Sequence, residues 1–400
     1  MPGDVSLKNL FRGRTTAKMS LTERFHRDPL EFLDREFPAS SGMVQTGAKE
    51  FSLGDPIAAR SVLLNQGKLY LEDSDFFTTR LGLFGPREAQ LNIRRESRAL
   101  FENFLGARGP EELISLVKAN VSGKANVSGV SEWPDTGNRL VYRYLQPLLL
   151  APDSPPKLLR LLDDIVEQAV LRGSNRHQSM WRRRILQFRM TLILSGAIQA
   201  RRAQRSSQPT DLLDVVARAG GQGHSNTELA EVFLSFVFSI AGSVGFVLGW
   251  SVYLLATHPV GETPPEWVVQ EALRLWPVAW RLARRPAKDH ALGGINVGAA
   301  HKIVACPYLV QRNPAYWGDP AEFRPQRWSA SESWRNPAFI PFGHGPHRCV
   351  AADLSIQLIS KMLEAITRGN ELSVTSRDPR PTPAAAIAPP AYSLTLKPRF

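Results

Sequence analysis

The sequence predicts a mainly α-helical fold with a small β lobe. Helical periodicity returns in segment after segment between Asp28 and Ile366, whereas strand-like alternation is confined to residues 42–53, 292–306 and the C-terminal tail. The 400 residues, 43% apolar and 22% charged, can bury a large core without disulfides or metals to staple it. The 30 prolines and 29 glycines are scattered and no internal repeat is seen, so residues 1–400 read as one domain.

The elements follow in order. Asp28 to Phe37 is helical by period. In GMVQTGAKEFSL, residues 42–53, turn residues surround a short alternating segment, which predicts a strand pair. Asp55-Pro56 then starts a helix, with Asp as cap and Pro in the first turn. Residues 90–105 and 110–118 are helical. SPPKLLRLLDDIVEQAVL, from Ser154, runs as a long amphipathic helix. Met180 to Arg205 is helical and very basic, Asp211 to Ala219 is another helix, and Ser225 to Ala256 is the long central one. Thr263 to Trp276 is a helix stopped by Pro277, and residues 292–306 read as short strands around Gly293-Gly294 and Gly298. From Asn313 to Gly345 the chain is irregular and rich in Pro, Gly and aromatics, and so long an irregular stretch inside a compact domain usually has a function. A helix follows from Cys349 to Ile366, and YSLTLKPRF ends the chain as a strand.

Net charge is +12, from 49 Lys+Arg against 37 Asp+Glu. Three partners suit a basic surface: nucleic acid, a membrane, or an acidic protein. Zinc-finger spacing, a basic zipper and an aromatic RNA-binding signature are all missing, so nucleic acid is not expected. The acidic protein partner is the favoured reading. Cys306 and Cys349 are the only cysteines, which argues against a disulfide framework and for a reducing, cytoplasmic setting. No run is expected to reach the length of a membrane span. Leu229 to Ala256 is broken by Glu231, Gly242, Gly245 and Gly249 and reads as a core helix. The N-terminus is basic without an apolar signal core; composition leaves an organellar presequence open.

The sharpest chemical signal is Phe342-Gly-His-Gly-Pro-His-Arg-Cys-Val350, just before an apolar helix. Gly343 and Gly345 let backbone pass close to a flat ligand. Cys349 is expected at a helix start, where free N–H groups and partial positive charge favour the thiolate that binds metal. Phe342 can limit solvent access to the sulfur, and His347 and Arg348 can meet acidic groups on the ligand. Cys306 follows an apolar strand with no glycine loop and reads as a buried structural thiol.

This loop closely resembles the haem-binding signature of the cytochrome P450 family, Phe-x-x-Gly-x-x-x-Cys-x-Gly. Phe342, Gly345 and Cys349 match it, and Ala351 stands where the family usually has Gly. The resemblance implies haem b held by Cys349 as metal ligand. It is strongest from Asp211 to Leu363 and weak before Asp55. It also implies a buried triad of Glu271, Arg274 and Arg327 that pins the irregular segment, a structural role. Arg284 matches the family's strand arginine and would hold a haem propionate, with Arg281 and Arg285 as close competitors. Arg94 matches the second residue of a His-x-x-x-Arg motif, and Gln90 occupies the His position, where it can donate a hydrogen bond but carries no charge. The connection from Pro259 to Glu271 is short, which implies a trimmed helix.

One departure bears on mechanism. The family's central helix carries an acid followed by Thr, which relay protons to bound oxygen. Here the segment is Ser239-Ile-Ala-Gly-Ser-Val-Gly245. One register puts Val244 and Gly245 at the relay positions, and the preferred one puts Gly242 and Ser243 there; neither supplies an acid. The implied function is oxidative tailoring, such as hydroxylation, of a small-molecule or peptide-derived natural product, with a ferredoxin-type electron donor and no membrane. An atypical oxidation of an acidic substrate, such as decarboxylation or coupling, is the alternative, and a haem-binding sensor or scaffold without turnover is the rival class. The basic run Arg172, Arg182, Arg183, Arg184 and Arg189 is placed near the substrate entrance, against a solvated helix face as the plainer reading.

Overall fold

The computed structural model describes residues 19–38, 42–72, 87–122, 130–171, 180–204, 208–219, 224–258, 260–330 and 333–398. α1 (Leu21–Arg27) starts on a reciprocal capping box between Ser20 and Glu23, and α2 (Pro29–Glu36) is capped by Asp28. β1 (Met43–Gly47) and β2 (Glu50–Leu53) form the predicted antiparallel pair. α3 (Pro56–Leu64) begins as its sequence requires: the Asp55 carboxylate accepts the Ala58 N–H at 2.7 Å, and Pro56 sits in the first turn. β3 (Tyr70–Glu72), α4 (Arg87–Gly106) and α5 (Pro110–Val117) follow, α5 running into a π-turn at Lys118–Ser122.

α1 and β3 went unread in the sequence, and so did two longer neighbours, β4 (Val130–Trp133) and α6 (Asp135–Leu149). Pro134, Gly137 and Pro147 punctuate α6, yet Leu140, Val141, Tyr144, Leu145 and Leu148 lie at helical spacing and are all buried. α7 (Pro156–Ile165) continues through a π-turn at Val166–Leu171, and α8 (Met180–Ala203) and α9 (Leu212–Ala219) lead to the central helix. That helix is α10 (Asn226–Phe238), a π-turn at Ser239–Val244, and α11 (Gly245–Thr257). α12 (Pro265–Leu275) comes next with no helix between among the described residues, in keeping with the shortened connection.

β5 (Leu282–Pro286), β6 (His290–Leu292), β7 (Ile295–Val297) and β8 (Lys302–Ala305) precede the single turn α13 (Pro307–Val310). α14 (Ala352–Thr367), β9 (Asn370–Thr375), β10 (Thr382–Pro383), β11 (Ile387–Ala388) and β12 (Tyr392–Pro398) complete the chain. α14 starts at Ala352 rather than at Cys349, because Arg348 is extended (φ −57°, ψ 140°) and Ala351 is not helical (φ −104°, ψ 22°). One sheet has the order β1-β2-β8-β5-β3, parallel only at β2–β8; a second has the order β4-β12-β9.

The larger apolar cluster surrounds the central helix, where Trp250 stacks on Trp276 with ring centroids 4.5 Å apart. A smaller cluster packs α3 against the five-stranded sheet. The central helix corrects one expectation: its 32 residues, Asn226–Thr257, are long and apolar enough to cross a membrane by length and composition, and Glu231 and the glycines do not interrupt it. Leu248, Trp250 and Val252 are fully buried in the core, and a helix that runs through a core is apolar over most of its surface.

Candidate active site

The loop from Ile340 to Ala351 is folded by its own backbone. The Gly343 N–H donates to Ile340 O (3.0 Å), the Arg348 N–H to Gly345 O (3.1 Å) and the Cys349 N–H to Phe342 O (2.9 Å). These turns need φ of +72° at Gly343 and +75° at Gly345, values open to glycine at little cost. Gly345 also rests on α3, where a Cβ would stand 2.9 Å from Leu64 Cα, so a side chain there would drive the loop off the helix. Phe342 is half-buried against the larger cluster.

α4 grips the loop from the side. Arg94 Nη2 donates to Arg348 O at 2.6 Å. Arg98, one turn on, donates to Val350 O (2.9 Å) and makes a two-pronged contact with Asp353 (2.8 and 2.7 Å). Arg98 was not foreseen; its signal was its place four residues after Arg94 on the same helix face. Gln90 lies on α4, but its side chain is outside the described residues.

Cys349 is accessible to water, although protein packs closely on the rest of it. Burial pushes its thiol up, while the Ala351 N–H and the charges of Arg348 and Arg94 pull it down. The expected thiolate-favouring helix start is therefore only partly present, since α14 begins three residues later. Cys306 is wholly buried and its thiol is pushed up to about 11, chiefly by burial, as suits an inert structural cysteine.

Positive charge gathers around the loop. Arg348 is exposed and Arg94 is half-buried; beside them His347 is exposed, and the His344 imidazole is pushed down, toward its neutral form, by burial and then by Arg60 and Arg348. β5 adds Arg284, which shares a strand face with Leu282; Leu282 Cδ1 stands 3.5 Å from where a Gly343 Cβ would be. Its competitors lie elsewhere: Arg281 is salt-bridged to Glu50 and lies over the Phe25 and Trp280 rings, and Arg285 falls on the opposite strand face. An accessible thiol among these cations suits a planar metal complex with acidic edge groups, as haem b is.

Behind the loop the expected triad is formed. Arg274 Nε and Nη2 donate to Glu271 at 2.9 and 2.8 Å, and Arg327 Nε to Glu271 Oε1 at 2.9 Å. The Glu271 carboxylate also accepts the Trp328 indole N–H (2.9 Å) and the Arg324 N–H (3.0 Å). Arg274 in turn binds the carbonyls of Gln311, Pro320 and Glu322 at 3.0, 2.7 and 3.0 Å.

On the central helix, Ser239 is exposed, and Gly242, Ser243, Val244 and Phe246 are half-buried, an accessible strip around the π-turn. Nothing lies within 4 Å of where a Gly242 Cβ would be. Gly245 is buried against α6, so the register pairing Val244 with Gly245 would put its second member on the closed side. Ser239 was not singled out in the sequence; its signal was its place four residues before Ser243 on the same helix face.

The basic run fares differently. Arg172 and the side chains of Arg182, Arg183 and Arg184 lie outside the described residues. Arg189 pairs with Asp164 at 3.0 Å, in line with the solvated-face reading.

A family model described as "Cytochrome P450" matches residues 266–396. Human cytochrome P450 3A5 is 33% identical over 152 residues, 32% of this chain and 30% of that protein. Mouse cytochrome P450 4V2 is 27% identical over 186 residues, 40% of this chain and 35% of that protein. The matched stretch thus spans about a third of the length of these curated relatives. A zebrafish cytochrome P450 solved with abiraterone superposes with a TM-score of 0.69 at 20% identity, covering 93% of this chain and 100% of that one. The mainly α fold with a small β lobe is therefore the cytochrome P450 fold.

Proposed function

We propose that this chain, built on the cytochrome P450 fold, is a haem-thiolate oxidoreductase of monooxygenase type that holds haem b through Cys349. The observation that carries this reading is the accessible Cys349 thiol on a glycine-turned loop flanked by Arg94 and Arg348. When bound, the haem supplies oxygen activation and one-electron chemistry. The chain's own residues supply the rest. Cys349 would hold the iron through its sulfur, and Gly343 and Gly345 would let backbone pass close to a flat ring. Arg94, Arg284, His347 and Arg348 would hold the propionates by charge-assisted hydrogen bonds, with Gln90 as a neutral donor. Gly242 leaves room on the accessible strip, and Ser239 and Ser243 pass protons along it. In the reduced protein under carbon monoxide, the red-shifted absorption band of thiolate ligation is expected. Cys349→Ser should abolish it and Cys306→Ser should keep it; the opposite pattern overturns the assignment. A sensor or scaffold would show the same band but consume no substrate when supplied with electrons.

The finer role follows from charge and from the accessible strip. Natural-product tailoring in the cytoplasm, with electrons from an acidic ferredoxin, suits a chain of net charge +12 that resembles bacterial members of the family. A second reading is favoured by the strip itself, where Ser239 and Ser243 are hydroxyls and no carboxyl is present. General-acid help requires a donor within hydrogen-bond reach. In this reading an acid on the substrate supplies the proton, which makes oxidative decarboxylation or coupling natural outcomes. The test compares the acidic substrate with its methyl ester, both bound. The ester should consume electrons and release mostly peroxide; equal coupling returns the relay to Ser243 and ordered water.

A further inference from the structure

The π-turn at Ser239–Val244 rearranges the hydrogen bonds of the central helix. In a continuous α-helix the Gly245 N–H would donate to Ala241 O, four residues back. Here it donates to Gly242 O instead. Ala241 is fully buried, so its carbonyl, without the Gly245 N–H, has to be met by another donor from protein. That donor is the side chain of Asn138 on α6, whose Nδ2 lies 2.7 Å from Ala241 O.

The contact is built into the crossing of the two helices. A Cβ on Gly245 would stand 2.7 Å from Asn138 Cα, and one on Gly137 would stand 3.4 Å from Gly245 O. Glycine at 245 lets the two backbones approach closely enough for a side chain as short as Asn138 to reach the carbonyl, while Gly137 makes room for the Trp133 ring, 2.5 Å from where its Cβ would be. Asn138 is 1% exposed, and its Oδ1 has no hydrogen-bond partner. A buried amide with its acceptor unmatched is costly. The residue's contribution therefore lies in the donor half, aimed at the altered turn.

Resting on the haem-thiolate reading above, we propose that Asn138 is a positioning residue for proton delivery. By supplying Ala241 O with a donor, it holds the π-turn and so fixes where Gly242 and Ser243 stand on the accessible strip. It touches neither cofactor nor substrate. Without the amide, Ala241 O recovers a partner when the turn relaxes to α geometry. The residues of the turn then rotate relative to the rest of the helix.

The test uses the full haem-loaded chain. Asn138→Leu removes the donor, and Asn138→Asp keeps the shape but sets an acceptor against the carbonyl. Both should keep the carbon monoxide band, since Cys349 is untouched. Their peroxide release relative to electrons consumed should rise about fivefold, the population change that one lost neutral hydrogen bond produces. Unchanged coupling in a variant that folds and keeps the band overturns the proposal. A crystal structure of the unmodified holoprotein tests it even if neither variant folds. Ala241 O bonded to the Gly245 N–H, with Asn138 turned away, overturns it; the π-turn with Nδ2 on Ala241 O supports it. Absence of the thiolate band in the unmodified protein would instead defeat the haem-thiolate reading.

Discussion

Glu271→Ala should be among the most damaging single changes in the molecule, and worse than Arg274→Met. The Glu271 carboxylate is fully buried and accepts five hydrogen bonds: two from Arg274 and one each from Arg327, Trp328 and the Arg324 N–H. Removing it leaves the wholly buried Arg274 guanidinium without its counter-charge, which costs about 3–5 kcal/mol. Stranding the Trp328 indole and Arg324 N–H donors adds roughly 1–3 kcal/mol, less than the sum for each alone because the network relaxes together. The total approaches the roughly 5–15 kcal/mol by which folded proteins are usually stable. Arg274→Met is milder, since Arg327, Trp328 and the Arg324 N–H still satisfy the carboxylate, although the carbonyls of Gln311, Pro320 and Glu322 lose a donor. The assay is urea unfolding followed by circular dichroism, together with the yield of protein that binds haem. Glu271→Ala should give almost no haem-binding protein, and the Glu271→Leu/Arg274→Met pair should be less damaged than the sum of its parts. Equal midpoints for Glu271→Ala and the unmodified chain would refute the reasoning.

Two further outcomes are expected. Reduction by an acidic ferredoxin should slow as salt is raised, because steering toward a surface of net charge +12 is screened within about 10 Å at 0.1 M salt; a rate indifferent to ionic strength, measured by stopped flow, counts against an electrostatic encounter. Arg98 holds the Asp353 carboxyl well below its ordinary value of 3.8, to about 2, so the pair's contribution to stability is complete above 3.8 and is lost as pH falls toward 2. The two side chains are 37% and 50% exposed, so solvent limits that contribution to less than about 1 kcal/mol. In urea titrations Asp353→Asn should lose less stability across this window than the unmodified chain; a steeper loss in the variant contradicts the assignment.

How much could be read from residues alone depended on how local the determinants were. The cysteine loop was legible because glycines, Phe342 and Cys349 stand at fixed short offsets. The α3 start was legible because Asp55 and Pro56 act on the next turn of backbone. α6 was overlooked although its apolar positions have helical period, since Pro134, Gly137 and Pro147 are breakers elsewhere. The π-turn had no local signature: its replacement donor comes from Asn138, 103 residues away, and the sequence SIAGSV would suit an unbroken helix. Arg98 was overlooked for a related reason, because its acceptors on Val350 and Asp353 are more than 250 residues distant.

Arg94 and Arg98 reach the cysteine loop at the main-chain oxygens of Arg348 and Val350. Every amino acid supplies such an oxygen. The attachment is thus indifferent to which side chains stand at 348 and 350, so long as the backbone keeps its path. Those positions flank the sulfur, and Arg348 is exposed. The side chains at 348 and 350 can therefore change while α4 keeps its hold on the loop, so the chemistry presented beside the sulfur and the anchoring of the loop are open to separate adjustment at neighbouring atoms.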